Sequence, residues 1–127
     1  MIATIGGEIE RLDRLRPSKY EDEDKVGWLS ALDEKIQAEL LAGREGAGGE
    51  GFQGYDHTTP QDRALLIQGP CADIYFKWLL AQVDFHNMES ARYNASMAAF
   101  NYAWVDLANW VNRTYRPKQG ARLSRVI

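Results

Sequence analysis

Cysteine is nearly absent from this chain: Cys71 is the single one among 127 residues. An intrachain disulfide and a thiolate zinc cluster are therefore excluded. Histidine is almost as scarce, with only His57 and His86. Long hydrophobic runs are missing too. Nothing approaches the roughly 18 apolar residues that a membrane-spanning helix needs, so no membrane partner is expected. The opening residues MIATIGGEIERLDRL carry no basic stretch followed by an apolar one, which argues against a signal peptide. On that reading the sequons Asn94-Ala95-Ser96 and Asn112-Arg113-Thr114 are chance matches, and the expected location is the cytoplasm or a particle assembled there. Glycine and proline, finally, vanish between Cys71 and Arg116.

That last absence is the strongest structural signal. Taken as one helix, residues 71–116 would extend about 69 Å at 1.5 Å each, too long for one small domain. A break is expected at His86-Asn87-Met88-Glu89-Ser90, where Asn tolerates a left-handed C-cap and Ser favours an N-cap. Before it, Ile74, Trp78, Leu79 and Phe85 form one apolar stripe; after it, Tyr93, Met97, Phe100, Trp104, Leu107 and Val111 form another. Ala95, Ala98, Ala99, Ala103 and Ala108 are small enough to let the two helices approach. The pattern predicts a long antiparallel helical hairpin. Three of the four Trp lie between residues 78 and 110, which puts the expected core in the C-terminal half.

Two shorter helices are expected before the hairpin. Ile5, Ile9, Leu12 and Leu15 share one helical face, and Arg16-Pro17 ends that helix because proline disfavours helical geometry in the residue before it. The acidic cluster Glu21-Asp22-Glu23-Asp24 then complements the positive end of a second helix. Its stripe is Leu29, Leu32, Ile36 and Leu40, with Trp28 beside it, Asp33, Glu34, Lys35 and Glu39 facing water, and Gly43 as the C-terminal cap. The fold class is thus all-α: one helical domain over 1–116 and a basic tail over 117–127.

Residues 43–58 read as a flexible excursion within that domain. Six of the twelve residues in 43–54 are glycine, and no apolar period survives to anchor them. The stretch GREGAGGEGFQG is not a phosphate loop. It lacks the Gly-Lys-Ser/Thr ending, follows a helix, and lies near Glu45, Glu50 and Asp56. Ala64-Leu65-Leu66-Ile67 is too short to type by period, and reads as strand-like or as a turn of helix.

Little here can carry chemistry. Asp84, His86 and Glu89 are the nearest thing to a metal set, yet positions 84 and 86 of a helix face different directions. The acidic cluster lacks the alternating ligand-and-glycine pattern of a calcium loop. Cys71 follows Gly69-Pro70 at a helix start, where the dipole lowers a thiol pKa, but no base or nucleophile elbow accompanies it, and it reads as a small buried hydrophobe. No catalytic residue, metal or cofactor is expected. Tyr102 and Trp110 fall off the hairpin stripe and suit a subunit contact. Charge is segregated as well. Against a net −3, residues 112–127 hold Arg113, Arg116, Lys118, Arg122 and Arg125 with no acid. Such a tail meets an acidic partner surface or stays solvated.

Three segments carry a resemblance: PSKYEDEDKVGWLSALDEKI (17–36), GPCADIYFKWLLAQVDFHNMESARYNASMAAFN (69–101) and WVNRTYRPK (110–118). Their main marks are Glu23-Asp24-Lys25 leading into Trp28-Leu29-Ser30-Ala31-Leu32-Asp33, then Asp73-Ile74-Tyr75, then Tyr93-Asn94-Ala95-Ser96 with Phe100-Asn101. The chain resembles the head–tail connector, or DNA-packaging, proteins of phages and prophages of Gram-positive bacteria. The resemblance implies a structural virion protein that forms a homo-oligomeric ring beneath the portal vertex, with no catalytic activity. It implies the portal and a tail-side connector as partners, and DNA passing through the channel without sequence-specific binding. Trp110, Arg113, Arg116, Lys118, Arg122 and Arg125 are the expected partner-binding residues, the tail being a portal-directed arm. The rivals are a small DNA-packaging or regulatory protein, which needs a basic helix face, and a small helical-bundle enzyme, which needs convergent His and carboxylates.

Overall fold

The computed structural model describes residues 2–118. They are all-α, with helices α1 (Ile5–Leu15), α2 (Asp22–Ile36), α3 (Ile74–His86) and α4 (Ser90–Thr114) and a short 3₁₀ turn at Gly69–Cys71. Among the described residues the only β-type pairings are two isolated bridges, Thr4 with Ala64 and Arg44 with Pro117.

Thr4 caps α1 by accepting the Gly7 amide on its hydroxyl at 3.0 Å. Ile5, Ile9 and Leu12 are buried, whereas Leu15, expected on the same stripe, is 57% exposed. At that last turn it is Arg16 that turns inward, to Asp84. Gly6 sits in the first turn for a steric reason. Its amide donates to the Gln61 carbonyl at 2.8 Å, and a Cβ there would stand 3.0 Å from both Gln61 Cβ and its carbonyl oxygen. The glycine lets segment 61–67 lie across the start of α1. Leu65 and Ile67 of that segment are buried in alternation, and the Leu65 amide donates to the Ala3 carbonyl at 3.0 Å.

Four acids begin α2 or precede it, and the Asp24 carboxylate accepts the Glu21 amide at 3.3 Å, a local cap of the kind the acidic cluster suggested. The helix continues beyond Ile36 through a wider π-turn, Gln37–Leu41, in which the Ala42 amide donates five residues back to Gln37 at 2.9 Å. The extra residue in that turn advances the apolar face by one position, so Leu41 rather than Leu40 is buried. Gly43 is not a left-handed cap; the first positive φ past the helix is at Gly46. Gly27 lies exposed inside α2, with open space where a Cβ would go. Gly27→Ala should therefore stabilise the fold by about 0.5–1 kcal/mol, visible as a higher midpoint in urea with an unchanged slope.

Between α3 and α4 lie only Asn87, Met88 and Glu89. The left-handed residue is Met88, with φ 60°, rather than Asn87, and Glu89 rather than Ser90 is the residue preceding α4. The chain then returns along α3, since Phe85 meets Tyr93 at 5.4 Å and Trp78 meets Phe100 at 4.9 Å between ring centroids.

The core is not concentrated in the C-terminal half. α1 and α2 supply Ile5, Ile9, Leu12, Val26, Leu29, Leu32 and Ile36, against Phe100, Leu107 and Val111 from the 25 residues of α4. All four Trp are only partly buried. Ala95, Ala98 and Ala99 are exposed on the outside of α4 and do not line its contact with α3; Ala103 and Ala108 are the half-buried pair. Among the described residues, α4 is covered along one side only.

The glycine-rich stretch does have an apolar anchor. Tyr55 is 7% exposed and Phe52 packs edge-on to it at 4.9 Å. Gly54, with φ 90°, makes that insertion possible, because a Cβ there would fall 2.7 Å from Glu34 Oε1 and 2.8 Å from Ser30 Oγ. The residues after α4 also stay with the body as far as Lys118. The Glu45 amide donates to the Arg116 carbonyl and the Lys118 amide to the Gly43 carbonyl, both at 2.8 Å.

Candidate functional site

The most connected polar group is Asp33, expected to face water and found fully buried. Its Oδ1 accepts the Tyr75 hydroxyl at 2.6 Å; its Oδ2 accepts the Tyr55 hydroxyl at 2.6 Å and the Leu66 amide at 3.1 Å. The Tyr75 oxygen in turn accepts the Ile67 amide at 2.8 Å. One carboxylate thus ties α2 to α3, to the glycine-rich stretch and to segment 65–67. Burial pushes its carboxyl above the ordinary 3.8, and the Tyr55 and Tyr75 hydroxyls, the Leu66 amide and Arg63 oppose that rise. Both tyrosine hydroxyls are driven far up, by burial first and by Asp33 next. Asp33 is 0% exposed, and its bonds knot these four segments together.

A second knot closes the end of the molecule where α3 turns into α4. Asp84, 1% exposed, is paired with Arg16 and accepts the Ser96 hydroxyl, and Arg16 also faces Glu89 at 3.5 Å. His86 points elsewhere. It is exposed and stacks on Trp28 at 5.3 Å, with Tyr20 and Phe85 against its other edges. Asp84 and His86 are therefore not brought to a common point. No group of three or more His, Cys, Asp or Glu stands together as a metal set among the described residues. Cys71 is half-buried beside Asp106, and burial, then that carboxylate, raises its thiol, the opposite of an activated nucleophile.

The remaining features are surfaces. Along the uncovered side of α4, Ala91, Ala95, Ala98, Tyr102 and Val105 recur at spacings of four, three, four and three, and all are exposed. Tyr102 is 76% and Val105 56% exposed. From Tyr93 to Val105 the helix has no charged residue. A helix face meant for water normally carries charge, and this spacing is that of a helix–helix seam. Tyr102 stands out in the sequence, but the stripe does not, since Ala95 and Ala98 were expected at the contact with α3.

The expected partner-binding residues divide. Trp110 is half-buried, edge-on to Tyr115 at 5.8 Å, so it serves the body more than the surface. Arg113 and Arg116 are exposed near the end of α4. Lys118 is half-buried and faces Glu50 at 3.6 Å. Arg122 and Arg125 lie outside the described residues. No helix among the described residues is long and apolar enough to cross a membrane. Compared with known proteins, the chain matches no family model, no curated protein and no solved structure.

Proposed function

We propose that this chain is a structural virion subunit, a head–tail connector that assembles into a ring under the portal vertex of a phage or prophage and catalyses nothing. The observation that carries the reading is the exposed stripe of Ala95, Ala98, Tyr102 and Val105, within a run free of charge from Tyr93 to Val105. Contiguous exposed apolar surface marks a binding face more often than singly scattered apolar residues do. The resemblance of segments 17–36, 69–101 and 110–118 supplies the assembly. In this reading α3 and α4 form the rigid hairpin from which the interface is presented, and the stripe on α4 is the face through which copies associate. The exposed Arg113 and Arg116, with Lys118 beside them, face the portal. A tail-side connector docks on the completed ring, DNA passes through without sequence-specific contact, and assembly takes place in the host cytoplasm. A nucleic-acid-binding role would need a basic helix face; the uncovered side of α4 offers none between Tyr93 and Val105.

The portal contact is tested with Arg113→Glu and Arg116→Glu combined. Co-sedimentation with the portal protein of the same genome should weaken about tenfold at about 0.1 M salt and less at 1 M, where surface charge is screened. The helical circular dichroism signal should not change. Undiminished portal binding by this variant would remove these arginines from the contact.

A further inference from the structure

The end of the molecule formed by the α3–α4 turn carries an exposed apolar patch. Met88 is 88% and Phe85 56% exposed, and together with Tyr93 they line a cleft of about 490 Å³. Met88 is also held at φ 60°, a conformation that non-glycine residues seldom adopt, so the backbone presents this side chain outward at some cost. The cleft's own acids, Asp84 and Glu89, are paired with Arg16 and Arg92, and the unpaired acids stand on a neighbouring element. Tyr20 donates to Asn87 at 2.6 Å and packs on His86, which brings the start of α2 alongside. There Glu21, Glu23 and Asp24 are exposed and have no basic partner among the described residues. A ligand for this end should thus be apolar and basic at once.

The chain itself contains such a segment. Arg122, Leu123, Arg125, Val126 and Ile127 interleave two positive charges with three apolar side chains and include no acid. The segment starts from the wrong end to use its own copy's patch. Lys118 bonds to Gly43 beside the last turn of α4, while Tyr93 of the patch lies in the first turn, 21 residues before Thr114, or about 32 Å at 1.5 Å per residue. The stretch from Lys118 to Arg122 spans at most about 14 Å when fully extended. The nearer cleft, bounded by Gly49–Gly54, Arg63 and Leu66, has Glu50 already facing Lys118 and a guanidinium on its wall, so it does not complement a basic segment.

We infer that residues Arg122–Ile127 of one copy dock on the Phe85–Met88–Tyr93 patch of the next. This deepens the assembly reading above and rests on it. The contact joins two different surfaces, so it is head-to-tail, and repeated by a closing rotation it generates a ring.

Two full-length variants test it, Cys71→Ser with Met88→Cys and Cys71→Ser with Arg125→Cys. They are mixed at the highest concentration both reach and oxidised mildly, while light scattering records their association. The expected product is a covalent dimer containing one of each. Its yield should fall severalfold at about 1 M salt and in chains that also carry Glu23→Lys. A single chain bearing both cysteines should yield linked multimers. Assemblies that form without the 88–125 link, or a doubly substituted chain that closes on itself, overturn the docking and leave self-association standing. Chains that neither associate nor link overturn both.

Discussion

Replacing Asp33 by Ala should destabilise the fold by about 3–5 kcal/mol, the largest effect of any single substitution described for this chain. The change removes the acceptor for three donors, the Tyr55 and Tyr75 hydroxyls and the Leu66 amide. Each buried donor left unpaired costs about 1–3 kcal/mol, and the site is closed to the water that would replace the carboxylate. The melting temperature should drop by roughly 10 °C or more. Asp33→Asn keeps one acceptor oxygen but turns an amide toward a hydroxyl that also donates, so it should fall between wild type and Ala. Tyr75→Phe strands the Ile67 amide as well and should exceed Tyr55→Phe. A loss below about 1 kcal/mol for Asp33→Ala in denaturant titration would contradict the knot.

The same carboxylate gives a pH signature. Its folded pKa is raised above the ordinary 3.8, with burial the main cause. Between the unfolded and folded values the native state binds more protons than the unfolded one, so stability falls as pH rises through that window. The contribution of Asp33 is therefore fullest below the unfolded pKa and is lost as pH climbs past the folded one. The stability of wild type relative to Asp33→Asn should grow on acidification toward pH 4. A difference that shrinks instead would place the carboxyl below its ordinary range.

What could be read from sequence follows from how local each feature is. α1 was legible because Ile5, Ile9 and Leu12 repeat at helical spacing and Arg16-Pro17 ends them. The break before α4 was legible because polar residues interrupt a long run free of glycine and proline. Asp33 was not, since an acid between Leu32 and Glu34 looks like the wet side of a helix. Its partners lie 22, 33 and 42 residues away in sequence, a distance no local pattern spans. The anchoring of Tyr55 was hidden in the same way by the glycines around it. Ala95, Ala98 and Ala99 were misassigned because small residues suit a close helix contact and an exposed face equally; only the position of α3 decides.

The second large effect concerns that face. Tyr102→Glu combined with Val105→Glu should reduce self-association about 100-fold or more, equivalent to about 2.7 kcal/mol, because two carboxylates would be buried without partners in the seam. Both positions are exposed in the single chain, so its own stability should move by no more than about 0.5 kcal/mol for each change. Sedimentation equilibrium reads the first quantity and denaturant titration the second. Equal losses in both would mean that the residues serve the fold, and unaltered association would move the interface off α4.

Assembly itself is tested most directly by mass in solution, for the unmodified chain alone over rising concentration and then with its portal protein. The subunit is 14.4 kDa. The expected result is a discrete species at a fixed multiple of that mass, formed alone or on addition of the portal, with Tyr102→Glu and Val105→Glu abolishing it. A 14.4 kDa particle at every concentration, with no mass added to the portal, would contradict a connector role.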